Sequence, residues 1–449
     1  MRADPVPQLL ARAAALLDGE FSSLPEAEND GLEAAGMASI LEAVAHRLGD
    51  NYPYFHPLYA GQMLKPPHPI ARAAYSLAMK INPNNHARDG GRASSEMEIE
   101  AIQEIAAIFG WKTGEFLGHL TSSGTLANLE ALWVAGHLAP GARILASEQA
   151  HYTHHRISGV LKLRYTAIRT DARGRMELEA IEAEAAKGDV GMVVATLGTT
   201  GIGAVDQLDE ILKLKQRFGF RVHVDGAYGG YFGLIRNELG EEAQRAYAAM
   251  GQADSIVLDP HKHGLQPYGC GCVLFRDPEA GRIYKHDSPY TYFTSSALHL
   301  GEISLECSRA GASAVALWAT QKLLPLTPDG EFARGLAQGR RAALELDRRV
   351  REDGRFEGLA AAGPQLDIVV WKAKAATAER ASDLAQKIFG ASAARDLHLA
   401  LVQLPLSWFG PTDGTGTCLR SVLMKPEHEA WLGRIWERLD AASTEAWGV

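Results

Sequence analysis

Two stretches decide how this chain is read: Arg221-Val222-His223-Val224-Asp225-Gly226-Ala227-Tyr228-Gly229-Gly230 and Leu258-Asp259-Pro260-His261-Lys262-His263-Gly264. The first is an apolar run that ends in one carboxylate followed by small residues. The second is shorter and delivers one amine beside a histidine. Continuous apolar runs bounded by Gly and Pro read as strands buried on both faces. In an open α/β sheet, ligands sit beyond the carboxyl ends of the strands, which is where this carboxylate and this amine fall. Alone, such an aspartate is often a cap and such a lysine is usually solvated; together, in this order, they read as a site.

The flanking segments extend the pattern. Upstream, Leu117-Gly118-His119-Leu120-Thr121-Ser122-Ser123-Gly124-Thr125-Leu126-Ala127-Asn128 places small hydroxylic residues between a short apolar segment and a helical run. Backbone N–H groups and hydroxyls at a helix N-terminus form an anion site, so Ser123, Gly124 and Thr125 are candidates to hold a phosphate. Ile144-Leu145-Ala146-Ser147-Glu148-Gln149-Ala150-His151-Tyr152 carries His151, and Met192-Val193-Val194-Ala195-Thr196-Leu197-Gly198-Thr199-Thr200 is a further buried strand ending in two threonines. A helix is expected over 209–218 before the next strand starts at Arg221. This alternation of strand and helix predicts a parallel sheet with right-handed crossovers.

These motifs resemble those of the group II amino-acid decarboxylases, which use pyridoxal phosphate on the fold-type-I scaffold; the likeness runs over roughly residues 50–425. The resemblance implies an α/β fold with a mostly parallel seven-stranded sheet flanked by helices in a large domain, and a small C-terminal α+β domain. It makes Lys262 the amine that forms a Schiff base with the cofactor aldehyde. It pairs Asp225 with the ring nitrogen, where an anion favours the protonated ring. His151 would stack on one face of that ring with Ala227 on the other. His261 would reach the phosphate, Thr200 (with Thr199 as the alternative) would approach the cofactor, and Asp259 stands where relatives carry Asn or Asp. Burial is expected to disfavour the charged form of Lys262 and free its amine.

On the substrate side, the resemblance points to Gln62, in the loop Phe55-His56-Pro57-Leu58-Tyr59-Ala60-Gly61-Gln62-Met63, and to Asn85 and His86 in a second polar loop. Relatives protonate Cα from a tyrosine on a loop that here spans Tyr290, Tyr292, Ser295 and Ser296, while counting back from Ser308-Arg309 puts His299 nearer that place. Ser295 and Ser296 would touch the partner subunit's phosphate. Arg420 stands where the family commonly has an arginine, and would orient a substrate carboxylate or support that loop. The family expectation is a homodimer with the site at the subunit boundary; a cytoplasmic location is expected by default, with no targeting signal or membrane span read in the sequence. Removal of CO2 from an L-amino acid is the first reading; transamination and carbon–carbon cleavage share the motifs, and a cofactor-binding protein without catalysis is the reading that Lys262, Asp225 and His151 oppose. The polar candidates point to a polar or acidic substrate side chain.

The whole chain agrees with a large soluble enzyme. Its 449 residues suffice for a large domain and a smaller one, and 46% are hydrophobic and 22% charged. The division expected is a helical segment over 1–60, a large domain over 61–325 and a small domain over 326–449, with the boundary at Thr327-Pro328-Asp329-Gly330. A net charge of −9 gives no basic footprint for nucleic acid. Four cysteines form no C-x-x-C pair, and Cys270 and Cys272 read as buried small hydrophobes. His151, His154 and His155 lack the accompanying ligands of a metal site. Leu9, Leu10, Ala13, Leu16 and Leu17 fall at helical spacing, with Arg12 interrupting any targeting-type apolar core, and no stretch is long enough to span a membrane. Ser95-Glu96-Met97-Glu98 reads as a capping box opening a helix that Gly110 ends. Further helices are expected over 305–324 and 332–351, and strands over 366–371 and 417–424. No G-x-G-x-x-G follows a strand and there is no Walker lysine.

Overall fold

The structure is a computed structural model, and it describes residues 4–25, 34–87, 90–285, 303–361 and 363–448. Seven strands build the main sheet: β1 (Leu117–Thr121), β2 (Arg143–Ser147), β3 (Arg164–Ile168), β4 (Val190–Thr196), β5 (Arg221–Asp225), β6 (Ser255–Leu258) and β7 (Gly271–Phe275). They lie in the order β1-β7-β6-β5-β4-β2-β3. The pairs β6-β5, β5-β4, β4-β2 and β2-β3 are parallel, and β7 runs against both β6 and β1. The mostly parallel sheet expected from the sequence is therefore present.

Its inner strands are largely buried because both faces are covered. Every residue of β2, β6 and β7 is buried. The helices Gly124–Leu138, Thr153–Val160, Leu178–Ala185 and Leu208–Phe218 fill the connections between parallel strands. The last of these shows why it forms where it does. Leu208, Ile211, Leu212 and Leu214 face inward, Asp209 and Glu210 occupy the first turn, and Lys215 and Arg217 the last. Gly219 ends it at φ 77°, a left-handed conformation that glycine takes without strain. Cys270 and Cys272 lie within the main core beside Val224 and Ile256.

A second, antiparallel sheet follows: β8 (Phe356–Gly358), β9 (Ile368–Ala373), β10 (Ala400–Pro405) and β11 (Thr415–Val422), in the order β10-β11-β9-β8. Its core gathers Trp371, Leu346, Leu419 and Leu439, and with them Leu58 and Ala60 from the early loop. That loop is tied in by Ala60 N–H to His398 O (2.9 Å) and Val422 N–H to Ala60 O (2.8 Å). Leu58 and Ala60, assigned from sequence to the N-terminal segment, thus pack with the C-terminal sheet. The helices Val6–Glu20 and Ala34–Leu48 bury none of their described residues.

Two sequence expectations need correction. The helix read from a capping box at Ser95 starts earlier and spans Arg92–Ala107, with Gly91 as its N-cap. Glu98 does not reach back to a cap. Its carboxylate is buried and accepts from Arg309 Nη1 (2.6 Å), Asn85 Nδ2 (2.6 Å) and Leu120 N–H (3.0 Å). The helix expected over 305–324 begins only at Gly311, because Arg309 turns inward to this carboxylate.

Candidate active site

The carboxyl ends of β1, β4, β5 and β6 open on one cavity of about 220 Å³. Its wall includes Asp225 from the end of β5, Thr196 from the end of β4, Asp259, His261 and Lys262 from the turn after β6, and the 123–125 loop after β1. His151, Thr200 and Ala227 complete the set of cofactor-side residues brought together here.

Asp225 is held on two sides. His154 Nε2 lies 2.8 Å from its Oδ2, and Ala227 N–H donates to its Oδ1 at 3.1 Å. Burial pushes the carboxyl up, but the His154 hydrogen bond and the nearby charges of His154 and Lys262 outweigh it, and the net effect holds Asp225 well below the usual carboxylate range. His223, one layer behind, is wedged between Asn128 Oδ1 and Ser255 Oγ, each at 2.8 Å, and burial lowers it to about 3, so it stays neutral. The cavity thus presents a permanent anion at the end of β5.

Lys262 departs from expectation. Burial does depress its amine, yet Asp259 Oδ2 lies 2.9 Å from Nζ, and this carboxylate together with Asp225 more than offsets burial. The net shift is upward, toward the ammonium form. Asp259 itself is pressed against the phosphate-type loop: a Cβ on Gly124 would fall 2.4 Å from its Oδ1, so no larger residue fits there. That Oδ1 and Thr196 Oγ1 are buried without a hydrogen-bond partner.

The 123–125 loop behaves as a helix start should. Ser123 is the N-cap of Gly124–Leu138, and its hydroxyl accepts from Leu126 N–H at 3.2 Å. Of the two threonines after β4, Thr199 is buried and its hydroxyl accepts from Ala204 N–H (3.0 Å), whereas Thr200 lines the cavity. His151 is half-buried, with Nδ1 2.9 Å from Thr153 Oγ1. His261 is fixed by Nδ1–H donating to Cys270 O at 2.7 Å.

The substrate-side candidates fare differently. Asn85 is buried away from the cavity, with its amide committed to Glu98, Ser94 and the Ser94 carbonyl, so it belongs to the Glu98–Arg309 network and not to a ligand site. His86 neighbours it and also lines no part of the cavity. Gln62 and Arg420 line no part of the cavity either and meet each other: Arg420 Nη1 donates to Gln62 Oε1 at 2.8 Å, while Nε and Nη2 of this buried guanidinium have no partner among the described residues. Tyr290, Tyr292, Ser295, Ser296 and His299 lie outside the described residues.

Sequence reasoning missed three residues. His154 was weighed only as a metal ligand, though its place on the first turn of Thr153–Val160 was the available signal; His155 instead packs on Tyr165. Tyr268, whose ring lies 4.9 Å from that of His261, senses the charge of Lys262. Tyr228 lines the cavity and donates its hydroxyl to the buried Asp367 at 2.5 Å. Among the described residues, no group of three or more His, Cys, Asp or Glu is arranged to hold a metal, and no helix is long and apolar enough to cross a membrane.

The family described as "Pyridoxal-dependent decarboxylase conserved domain" matches residues 135–374, more than half of the chain. The chain belongs to this decarboxylase family. The decarboxylase is 28% identical over 416 residues to an L-tyrosine decarboxylase of Enterococcus faecium, covering 70% of this chain and 67% of that protein. It is 29% identical over 266 residues to a probable L-tyrosine/L-aspartate decarboxylase of Methanothermobacter thermautotrophicus, covering 58% and 70%. The chain spans about two thirds of the length of these curated relatives. In fold it is similar to Oryza sativa TDC crystallised with PLP and tryptamine (TM-score 0.79, 20% identity, 99% of both chains). It is likewise similar to mouse CSAD (TM-score 0.78, 22% identity, 96% and 91%). The family's cofactor, pyridoxal phosphate, suits the cavity: a capped helix N-terminus, an anion at the end of β5, an amine, and two buried polar atoms that still lack partners.

Proposed function

We propose that this carboxy-lyase removes CO2 from an aromatic L-amino acid, with Lys262 as the amine that carries the cofactor aldehyde. The observation that supports it most is the meeting of Lys262 and Asp225 in one cavity beside the start of Gly124–Leu138. When bound, pyridoxal phosphate supplies an electron sink for the bond broken at Cα. Asp225, kept anionic by His154, holds the ring nitrogen positive. Ser123, Gly124, Thr125 and His261 would hold the phosphate, Thr200 would approach the cofactor, and His151 and Ala227 would lie against the ring. Asp259, 2.9 Å from Nζ, would stabilise positive charge on the Lys262 nitrogen. Arg420, with two nitrogens unpartnered and a third on Gln62, orients a substrate carboxylate.

The aromatic assignment rests on an apolar groove of about 720 Å³ lined by Tyr52, Tyr54, Phe55 and Tyr268. Tyr268 joins this groove to His261. With Asn85 committed elsewhere, the polar-substrate reading loses one of its supports. The exposed apolar residues Leu9, Leu16, Ile40 and Leu41 of the two N-terminal helices support a homodimer in which these helices cover a second copy. Incubating the cofactor-loaded enzyme with tyrosine, tryptophan, aspartate and glutamate, while measuring CO2 and keto acid, tests the reaction. CO2 from an aromatic substrate, lost in Lys262→Ala, is the expected result; keto acid without CO2 would overturn it. Sedimentation of an active monomer would remove the dimer.

A further inference from the structure

A second cavity, of about 380 Å³, shares no lining residue with the first. It lies between the early proline loop, the helix Glu331–Glu352 and the segment that follows β11. A buried layer joins the two cavities: Tyr228 of the first donates to Asp367, and Asp367 Oδ2 lies 3.3 Å from Nε2 of His263, which lines the second.

Its wall carries two amines in an unusual state. Lys65 Nζ donates to Met424 O (3.1 Å) and Lys425 Nζ to Tyr59 O (2.7 Å), and among the described residues neither forms an ion pair. His263 is only 1% exposed, and neither of its ring nitrogens has a hydrogen-bond partner. A half-buried amine, a buried amine and an unsatisfied buried imidazole face one space, and their positive forms are costly there unless something with negative charge meets them. We infer that this cavity binds a small oxyanion, a carboxylate or a phosphate, held by Lys65 and Lys425 with His263 as a third donor.

Carboxylates also lie near these amines. Glu427 lies near both lysines and Asp367 near Lys65, while Glu331 is at the His68 end. His428 packs behind Lys425, accepting from its backbone N–H at 3.2 Å, and burial holds that imidazole neutral at about 3. Burial lowers Lys65 to about 8, and burial with the charge of Lys65 lowers Lys425 to about 7. An anion between them favours both ammonium forms, so binding near pH 8 takes up protons. This site shares Phe55, Lys65 and Pro66 with the aromatic groove but no residue with the cofactor cavity, so anion binding is read separately from decarboxylation.

The test is calorimetric titration of the cofactor-loaded enzyme with inorganic phosphate, and separately with succinate, at pH 8 in two buffers of unlike ionisation enthalpy. Prior loading with cofactor keeps phosphate out of the first cavity. The expected result is saturable binding of at least one anion with net proton uptake. Lys425→Met should weaken it by roughly tenfold or more, while Lys425→Arg retains it. The two arms tell a carboxylate site from a phosphate site. Binding of neither anion up to about 50 mM, binding without proton uptake, or full affinity in Lys425→Met would each overturn the inference. Should Lys425→Met fail to fold, Lys65→Met is read in the same way, and proton uptake by the wild type stands without any variant.

Discussion

Replacing Asp259 with asparagine isolates what sets the ionisation of Lys262. Nζ and Oδ2 are 2.9 Å apart. Unit charges at that separation attract by ~6 kcal/mol at an effective dielectric of 20, a ceiling of roughly four pKa units. The Lys262 side chain is 21% exposed, so solvent trims this, and a fall of about one to three units is expected. With Asp259 neutral, burial outweighs the remaining pull of Asp225 and the amine drops below an ordinary lysine. The measurement is the pH dependence of Lys262 modification by an amine reagent in cofactor-free protein, read by peptide mass spectrometry. Cofactor attachment, followed by absorbance, should shift to lower pH in parallel. An unmoved or higher midpoint in Asp259→Asn would refute the argument that this carboxylate, and not burial, governs the amine.

Replacing His154 with leucine leaves burial of Asp225 less opposed, so its carboxyl rises and cofactor affinity should fail at acid pH while holding at pH 8; equal acid sensitivity in wild type and variant sinks this. Arg309→Met strands the buried Glu98 carboxylate and should cost about 3 to 5 kcal/mol in denaturant unfolding, whereas a loss under about 1 kcal/mol would show that the network is not structural. Lys425 titrates near 7 in the fold and near 10.5 when unfolded. Between those values the unfolded chain binds the extra proton, so stability rises with pH across this window, and Lys425→Met should flatten the rise in melts taken from pH 7 to 10.

Much of this was legible because the chemistry is local. Strands β4 and β6 are mostly apolar runs, β5 sets two valines before a terminal carboxylate, and the loop after β1 is a run of small residues before a helix, so their order follows from short windows of sequence. Strands such as β3, an edge strand with only Ile168 buried, and the three-residue β8 leave no comparable trace. The same distinction runs through the site. Lys262 and Asp225 announce themselves, but the bond from His154 to Asp225 joins residues 71 apart and depends on how a helix packs over β5. Asn85 looked like a ligand contact because polar loops usually face solvent or substrate; its partner Glu98 was itself misread as a cap. The charge on Lys262 turned on an approach set by the turn at Pro260, which residue type alone does not reveal.

The clamp between Glu98 and Arg309 has a meaning for biosynthesis. A nascent polypeptide presents Glu98, on the helix Arg92–Ala107, before the guanidinium that neutralises it, 211 residues later, has been translated. Until then, interring that carboxylate is opposed by roughly 3 to 5 kcal/mol. Ala60 waits longer still, since its partners His398 and Val422 lie further along the chain than Arg309. The native contacts of the early loop and of Glu98 therefore need residues from far along the chain, and a chain that stops before them leaves those groups unpartnered.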